Sequence, residues 1–198
     1  MTKGTAAALA FVTALLAIAL HAGPAEAHTI GLSSGEYTAR GSSVVGKLAF
    51  ARAEVTALIS SLDANRDGHL TASEVDSAKG TLKEKILGKI AVTSGGSACV
   101  PTLTDAGLTE QDGLILSGRW DCPASGAPFE VTLRLLDEVA RGHRHVARAV
   151  SGGATKDAVL FGDQRSFTIA REATTAAART EGDRRGDEDR SPRAWSFF

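Results

Sequence analysis

The sequence predicts an α+β protein, an antiparallel β-sandwich-like domain with a helix–loop–helix inserted after its first hairpin. Three observations carry this. Short runs of alternating apolar and polar residues, separated by glycine-rich turns, fill residues 29–51 and return over 89–171. A helical apolar period occupies the stretch between them. The 198 residues are 43% apolar and 23% charged, ordinary globular usage that favours one domain with attachments. Aromatics make up 5% against 21 glycines, so the core must be built from Ala, Val, Leu and Ile between many turns. The formal net charge of -1 gives no global electrostatic reason to bind nucleic acid or an anionic membrane.

Residues 1–27 read as a secretory signal rather than as part of the fold. Lys3 supplies the positive start, and residues 6–20 form a 15-residue run without a charge, short for a bilayer span. Gly23-Pro24 breaks the helix and Ala25-Glu26-Ala27 is a small-x-small cleavage pattern, so cleavage is expected before His28. No later stretch approaches a span, and the mature product is expected outside the cytoplasm, periplasmic or secreted. Export gives the two cysteines a meaning. Cys99 and Cys122 lie 23 positions apart, far from C-x-x-C, and in an oxidising compartment they read as a disulfide.

Residues 28–171 form the predicted domain. Residues 29–37 and 43–51 are extended runs around the turn-prone Ala39-Arg40-Gly41-Ser42. Val55, Leu58, Ile59 and Leu62 then recur at helical spacing, and Val75, Ala78, Leu82, Ile86 and Ile90 continue that period, with Gly80 and Gly88 weakening the second helix. Phe129, Val131, Leu133 and Leu135 share one strand face, as do Leu114, Leu116, Trp120 and Cys122 on another run. Residues 98–103, 145–150, 158–161 and 167–169 are further short strands. The tail over 172–198 is rich in Arg, Asp and Glu and is expected to be disordered; its Arg185-Gly186-Asp187 is a three-letter match that arises easily by chance.

The strongest chemical signal is Asp63-Ala64-Asn65-Arg66-Asp67-Gly68-His69-Leu70-Thr71-Ala72-Ser73-Glu74. A hard divalent cation takes six or seven oxygens. Asp63, Asn65 and Asp67 fall at loop positions 1, 3 and 5, His69 at 7 offers a backbone carbonyl, Thr71 at 9 binds directly or through water, and Glu74 at 12 supplies two oxygens. Gly68 permits the positive φ that turns the loop, and Thr71-x-x-Glu74 is also a capping box that starts the next helix. This resembles the EF-hand family over residues 52–85, and the resemblance implies a bound Ca2+. EF-hands normally pair, whereas residues 105–116 lack ligands at the needed spacing. A lone hand with three carboxylates is expected to bind calcium on the order of 0.1–1 mM, as extracellular modules do.

The start His28-Thr29-Ile30-Gly31-Leu32-Ser33, the Asp63 loop and the separated cysteines together also resemble the extracytoplasmic N-terminal region of HupE/UreJ-like membrane proteins. That resemblance implies a metal-handling role, from which this chain departs by turning into a charged tail where the membrane half would begin. His28, as a new N-terminus, could chelate a metal, and His143 and His145 would share a strand face, so these three are candidates for copper, nickel or zinc. The stretch after Gly142 nonetheless reads best as a solvated strand end. No nucleophile elbow, zinc-helix motif or phosphate loop is present, and no enzymatic activity is expected. The expected partners are the calcium ion and a protein that the sequence does not identify, with no nucleic acid and no membrane span after cleavage.

Overall fold

A computed structural model describes residues 31–110 and 113–171; the expected signal segment, His28 and the charged tail lie outside the described residues. Strands β1 (Leu32–Arg40) and β2 (Ser43–Ala51) form the predicted hairpin, turning at Gly41 with φ +57°. Helices α1 (Arg52–Leu58), α2 (Ala72–Ser77) and α3 (Lys79–Lys85) follow, then a 3-10 turn (Leu87–Lys89). The remainder is β3 (Ile90–Ser94), β4 (Ser97–Ala98), β5 (Val100–Leu108), β6 (Gly113–Asp121), β7 (Phe129–Leu133), β8 (Arg144–Ser151), β9 (Ala154–Leu160) and β10 (Ser166–Ile169).

The strands form two sheets. The larger runs β5-β6-β2-β1-β8-β9 and the smaller β10-β7-β3-β4. The expected antiparallel pairing holds except inside the large sheet, where β1 and β8 are parallel. The chain leaves β6, builds the inner strand β7 of the small sheet, and re-enters beside β1 in the same direction; a parallel neighbour requires such a crossover. Among the described residues no helix is long and apolar enough to cross a membrane.

One core joins the layers. Tyr37, Leu48, Leu116 and Trp120 project from the large sheet, and Phe129, Val131 and Leu133 meet them from the small one. Val55, Ile59, Val75, Leu82 and Leu87 cover the rest. Two glycines set how closely these pieces approach. Gly46 and Gly118 face each other across β2 and β6. A Cβ at 46 would stand 2.8 Å from the Trp120 ring, and one at 118 would stand 2.5 Å from Leu87 Cδ1. The bare backbone thus seats the indole on one glycine and the 3-10 turn on the other. Trp120 Nε1 then donates to the Ile90 carbonyl at 3.0 Å, satisfying its polar end inside the core.

Cys99 and Cys122 form the predicted disulfide. Cys99 follows β4 and donates its backbone N–H to Val92 of β3, while Cys122 follows β6 and donates to Ser42. The bond therefore staples the small sheet to the large one. At the end of the described chain, Arg171 reaches the carbonyls of Ala127 and Gly41 and the hydroxyl of Ser94, with its guanidinium 4.5 Å above the Phe129 ring.

The helical region departs from expectation at both ends. The first helix was expected to run to Leu62, immediately before the loop, but it ends at Leu58. Ile59 leaves the helical conformation, with φ -127° and ψ 81°, and a tight turn closes from Leu62 N–H to the Ile59 carbonyl. That turn sends Ile59 and Leu62 into the core and leaves Ser60 and Ser61 in solvent. Ile90, on the helical stripe by spacing, instead opens β3 opposite Leu133, because the sheet offers its backbone a full ladder. Leu135 leaves strand β7 for a 3-10 turn (Arg134–Asp137), yet stays buried.

Candidate functional site

The twelve residues 63–74 hang between α1 and α2, anchored by three buried apolar side chains. Leu62 lies before the loop, Leu70 inside it and Val75 after it. Between these anchors the polar side chains bind the loop's own backbone. Asp63 Oδ2 accepts from Gly68 N–H at 2.9 Å, Asn65 Oδ1 from Asp67 N–H at 3.0 Å, and Asp67 Oδ1 from His69 N–H at 2.7 Å. Alternate polar residues thus turn the chain by bonding its own amides, the behaviour of Asx turns in series. The turn needs two left-handed residues, Arg66 at φ 61° and Gly68 at φ 78°. Gly68 adopts the expected positive φ at no steric cost, while Arg66 does so with a Cβ.

Glu74 closes the loop. Thr71 and Glu74 form the predicted capping box, with Glu74 N–H donating to Thr71 Oγ1 and Thr71 N–H donating to Glu74 Oε2. Its other oxygen accepts from Ala64 N–H at 3.0 Å. The hydrogen bonds from the Thr71 backbone and hydroxyl, and then those from Asn65 and Ala64, hold this carboxyl below the usual range.

One atom of the loop is left over. Asp63 Oδ1 is buried and has no hydrogen-bond partner among the described residues. Asp63, Gly68 and His69 line a hollow of about 170 Å3 against Arg52, Ala53 and Thr56 of α1. Among the described residues no three His, Cys, Asp or Glu side chains converge closely enough to hold a metal. Glu74 is turned to the amides of the loop, and Asn65 Nδ2 donates to Asp67 Oδ2 at 2.9 Å. The donors are all oxygens of the kind a hard cation takes, and the buried orphan on Asp63 is what such an ion would satisfy.

The histidines correct the sequence reading. The stretch after Gly142 was expected to be a solvated strand end, yet His143 is 4% and His145 1% exposed. They do share a face, as their spacing requires, and it is the buried one. Parallel pairing sets Ser33 of β1 opposite His145 of β8. Tyr37 Oη donates to His145 Nε2 at 3.1 Å, and His145 Nδ1 donates to Ser33 Oγ at 2.7 Å. Ser33 Oγ donates to His143 Nε2 at 2.8 Å, and His143 Nδ1 donates to Glu54 Oε1 of α1 at 2.8 Å. These directions are assigned from the network: with Glu54 ionised they give each bond one donor, whereas reversal would leave the buried Tyr37 hydroxyl without an acceptor.

Burial, and secondarily the neighbouring His143, push the His145 pKa down to about 4, while burial drives the Tyr37 phenol upward. Both imidazoles are therefore spent on the chain, with their ring nitrogens facing Ser33, Tyr37 and Glu54. The order carboxylate, imidazole, hydroxyl is that of an acyl-transfer triad. Ser33 is only 2% exposed, however, and its Oγ is shared by two imidazoles, so a substrate carbonyl has no approach to it in this structure.

The chain has a sequence signature that helical and strand periodicity do not reveal. Gly31, just before β1, and Ser33, Gly35 and Tyr37 along it alternate on the buried side, so small residues leave a trough there. A Cβ at 35 would stand 2.9 Å from His145 Nε2, and one at 31 would collide with Glu54 Oε1 and stand 2.6 Å from His143 Nδ1. Small residues at 31 and 35 beside a His-x-His on another strand are the signal that could have found it. Three further carboxylates form ion pairs: Asp121 with Arg119, Asp137 with Arg165, and Glu138 with Lys89.

Scanned against known families, the chain matches no family model. A search among curated proteins returned no match.

Proposed function

We propose that this is an exported calcium-binding protein with a single EF-hand, in which the ion serves as a structural clip. Asp63, Asn65, Asp67, the His69 carbonyl, Thr71 and Glu74 would hold it. Bound there, calcium would supply charge neutralisation and coordination, which these residues would use to hold the loop against the start of α2. The observation that carries the reading is the buried, partnerless Asp63 Oδ1 at the first ligand position of a loop whose other ligand positions all bear oxygen. The Asx ladder and the positive φ at Gly68 support it, since both curl the chain as a cation cage requires. The disulfide fits the oxidising compartment that export implies.

A lone hand suits a clip better than a switch. Calcium at tenfold above its Kd adds roughly 1.4 kcal/mol to stability, enough to close a loop and too little to drive a large rearrangement. The test is thermal unfolding in calcium, in magnesium and in EDTA. Calcium raises Tm by a few degrees, and Glu74→Gln removes the shift while keeping the capping box, because Gln accepts the same backbone proton. A Tm unmoved by about 10 mM calcium, an excess over the weakest affinity expected of such a loop, refutes the proposal.

A further inference from the structure

The large sheet packs its inner face on the core, and its outer face carries no second layer among the described residues. Strand register aligns the outer side chains in rows across the sheet. One row runs Lys47, Glu36, Arg148, Asp157 over β2, β1, β8 and β9, so its charges alternate in sign and sum to zero. The next row runs Ile115, Ala49, Ser34, Val146, Val159 and is apolar but for Ser34. A sheet face that serves only water places polar residues outward, and this row does not. Val146 and Val159 are 37% and 50% exposed. Beside them is a hollow of about 500 Å3 whose lining includes the small residues Ser34, Gly35 and Ala49. The face thus offers branched side chains over β8 and β9 and room over β1 and β2.

We propose that this face binds a second copy of the same chain, in a face-to-face dimer whose two-fold axis runs along the strands between β1 and β8. Such an axis reverses the strand order and sets each row on its own copy. Glu36 then meets the partner's Arg148, and Lys47 meets the partner's Asp157. Ser34 and Ala49 receive the partner's Val146 and Val159, which fill the hollow. An axis across the strands through the charged row would instead set Glu36 on the partner's Glu36, a repulsive contact. Four overlapping strands, about 4.8 Å apart and about 30 Å long, cover roughly 600 Å2 on each copy, or about 1,200 Å2 in all. That is the lower end of a specific interface, so the dimer is a weak one. It does not depend on calcium.

The experiment is sedimentation velocity on the full protein, in EDTA, from about 5 to 200 μM, where a dimer with a Kd on the order of 10 μM is expected. Glu36→Lys sets like charge against the partner's Arg148, and Arg148→Glu sets like charge against the partner's Glu36. Each alone should weaken the dimer at least about tenfold. Mixed, the two variants should pair with each other at close to the wild-type affinity, because every facing charge is then opposite; a general disturbance of the surface would not be rescued in this way. Val159→Lys, at an exposed position, should also weaken the dimer at least about tenfold, and it decides the matter if a charge variant does not fold. Glu84→Lys, the same charge change on α3, should dimerise as the wild type. A single monomeric species at about 200 μM overturns the proposal, and is what a different occupant of the face would give. Folded Glu36→Lys, Arg148→Glu or Val159→Lys with wild-type dimerisation, or a mixture of folded charge variants that stays monomeric, overturns it too.

Discussion

Acidification should attack this fold at His145. The ring is 1% exposed, accepts from Tyr37 at Nε2 and donates to Ser33 at Nδ1, so a second ring proton would oppose the Tyr37 hydroxyl. Its folded pKa of about 4 lies below the value of about 6.5 for an unfolded histidine. The unfolded chain therefore takes up the proton first. The neutral ring's contribution is complete above about pH 6.5, declines as pH falls, and levels off below the folded pKa. With one pKa unit worth about 1.4 kcal/mol, the loss across that window is about 3 kcal/mol, a large share of an ordinary domain's stability.

Urea unfolding at a series of pH values from about 7.5 to 4 reads this directly, and the midpoint should fall by about 2 M given a typical urea slope for a domain of this size. Carboxylates also titrate at the acid end, so the informative quantity is the wild type minus His145→Asn, which has nothing to protonate at that position. The variant will be less stable at neutral pH, because Tyr37 and Ser33 lose a shaped partner, but its stability should depend less on pH between about 6.5 and 4. Parallel pH profiles in the two proteins would refute the argument, for then His145 would not be held neutral by the fold.

Reduction of Cys99–Cys122, or its double replacement by alanine, should cost about 3 kcal/mol by loop entropy and lower Tm by roughly 10 °C, measured by calorimetry with and without reductant. Gly118→Ala places a Cβ against Leu87, whose Cδ1 lies 2.5 Å from the added atom; urea unfolding should show a loss of about 1–3 kcal/mol, whereas the same change at the open position Gly80 should be neutral or stabilising.

The residues whose roles were legible in the sequence are those whose determinants are local. The β1–β2 hairpin follows from alternation around a glycine turn, and Gly41 takes the positive φ that such a turn needs. In the loop over 63–74 the turning glycine and the capping box were legible because their determinants lie within a few consecutive residues, and Gly68 and the Thr71–Glu74 pair take those roles. The cysteine pairing followed from there being two cysteines in a chain read as exported. Helix ends were not legible at either edge of the insert. Whether Ile59 and Leu62 reach the core along a helix or through a turn gives the same apolar spacing, and Ile90 could serve a helix stripe or a strand equally well.

By itself the sequence determined the alternation of strands, the turn and capping box of the 63–74 loop and the number of thiols, because the first two are set by neighbouring residues and the third is read directly from the composition. Only the tertiary structure decided that β8 returns parallel to β1, and with it the fate of two histidines. Ser33 and His143 are 110 positions apart, Glu54 and His143 are 89, and no local preference couples residues at such distances. Their partners were selected by the crossover that brings β8 into the large sheet and by the bare glycines at 31 and 35. A stretch that reads as a solvated strand end thereby became a buried hydrogen-bonded chain, because a polar side chain enters a core only where the fold supplies the donors and acceptors it leaves behind in water.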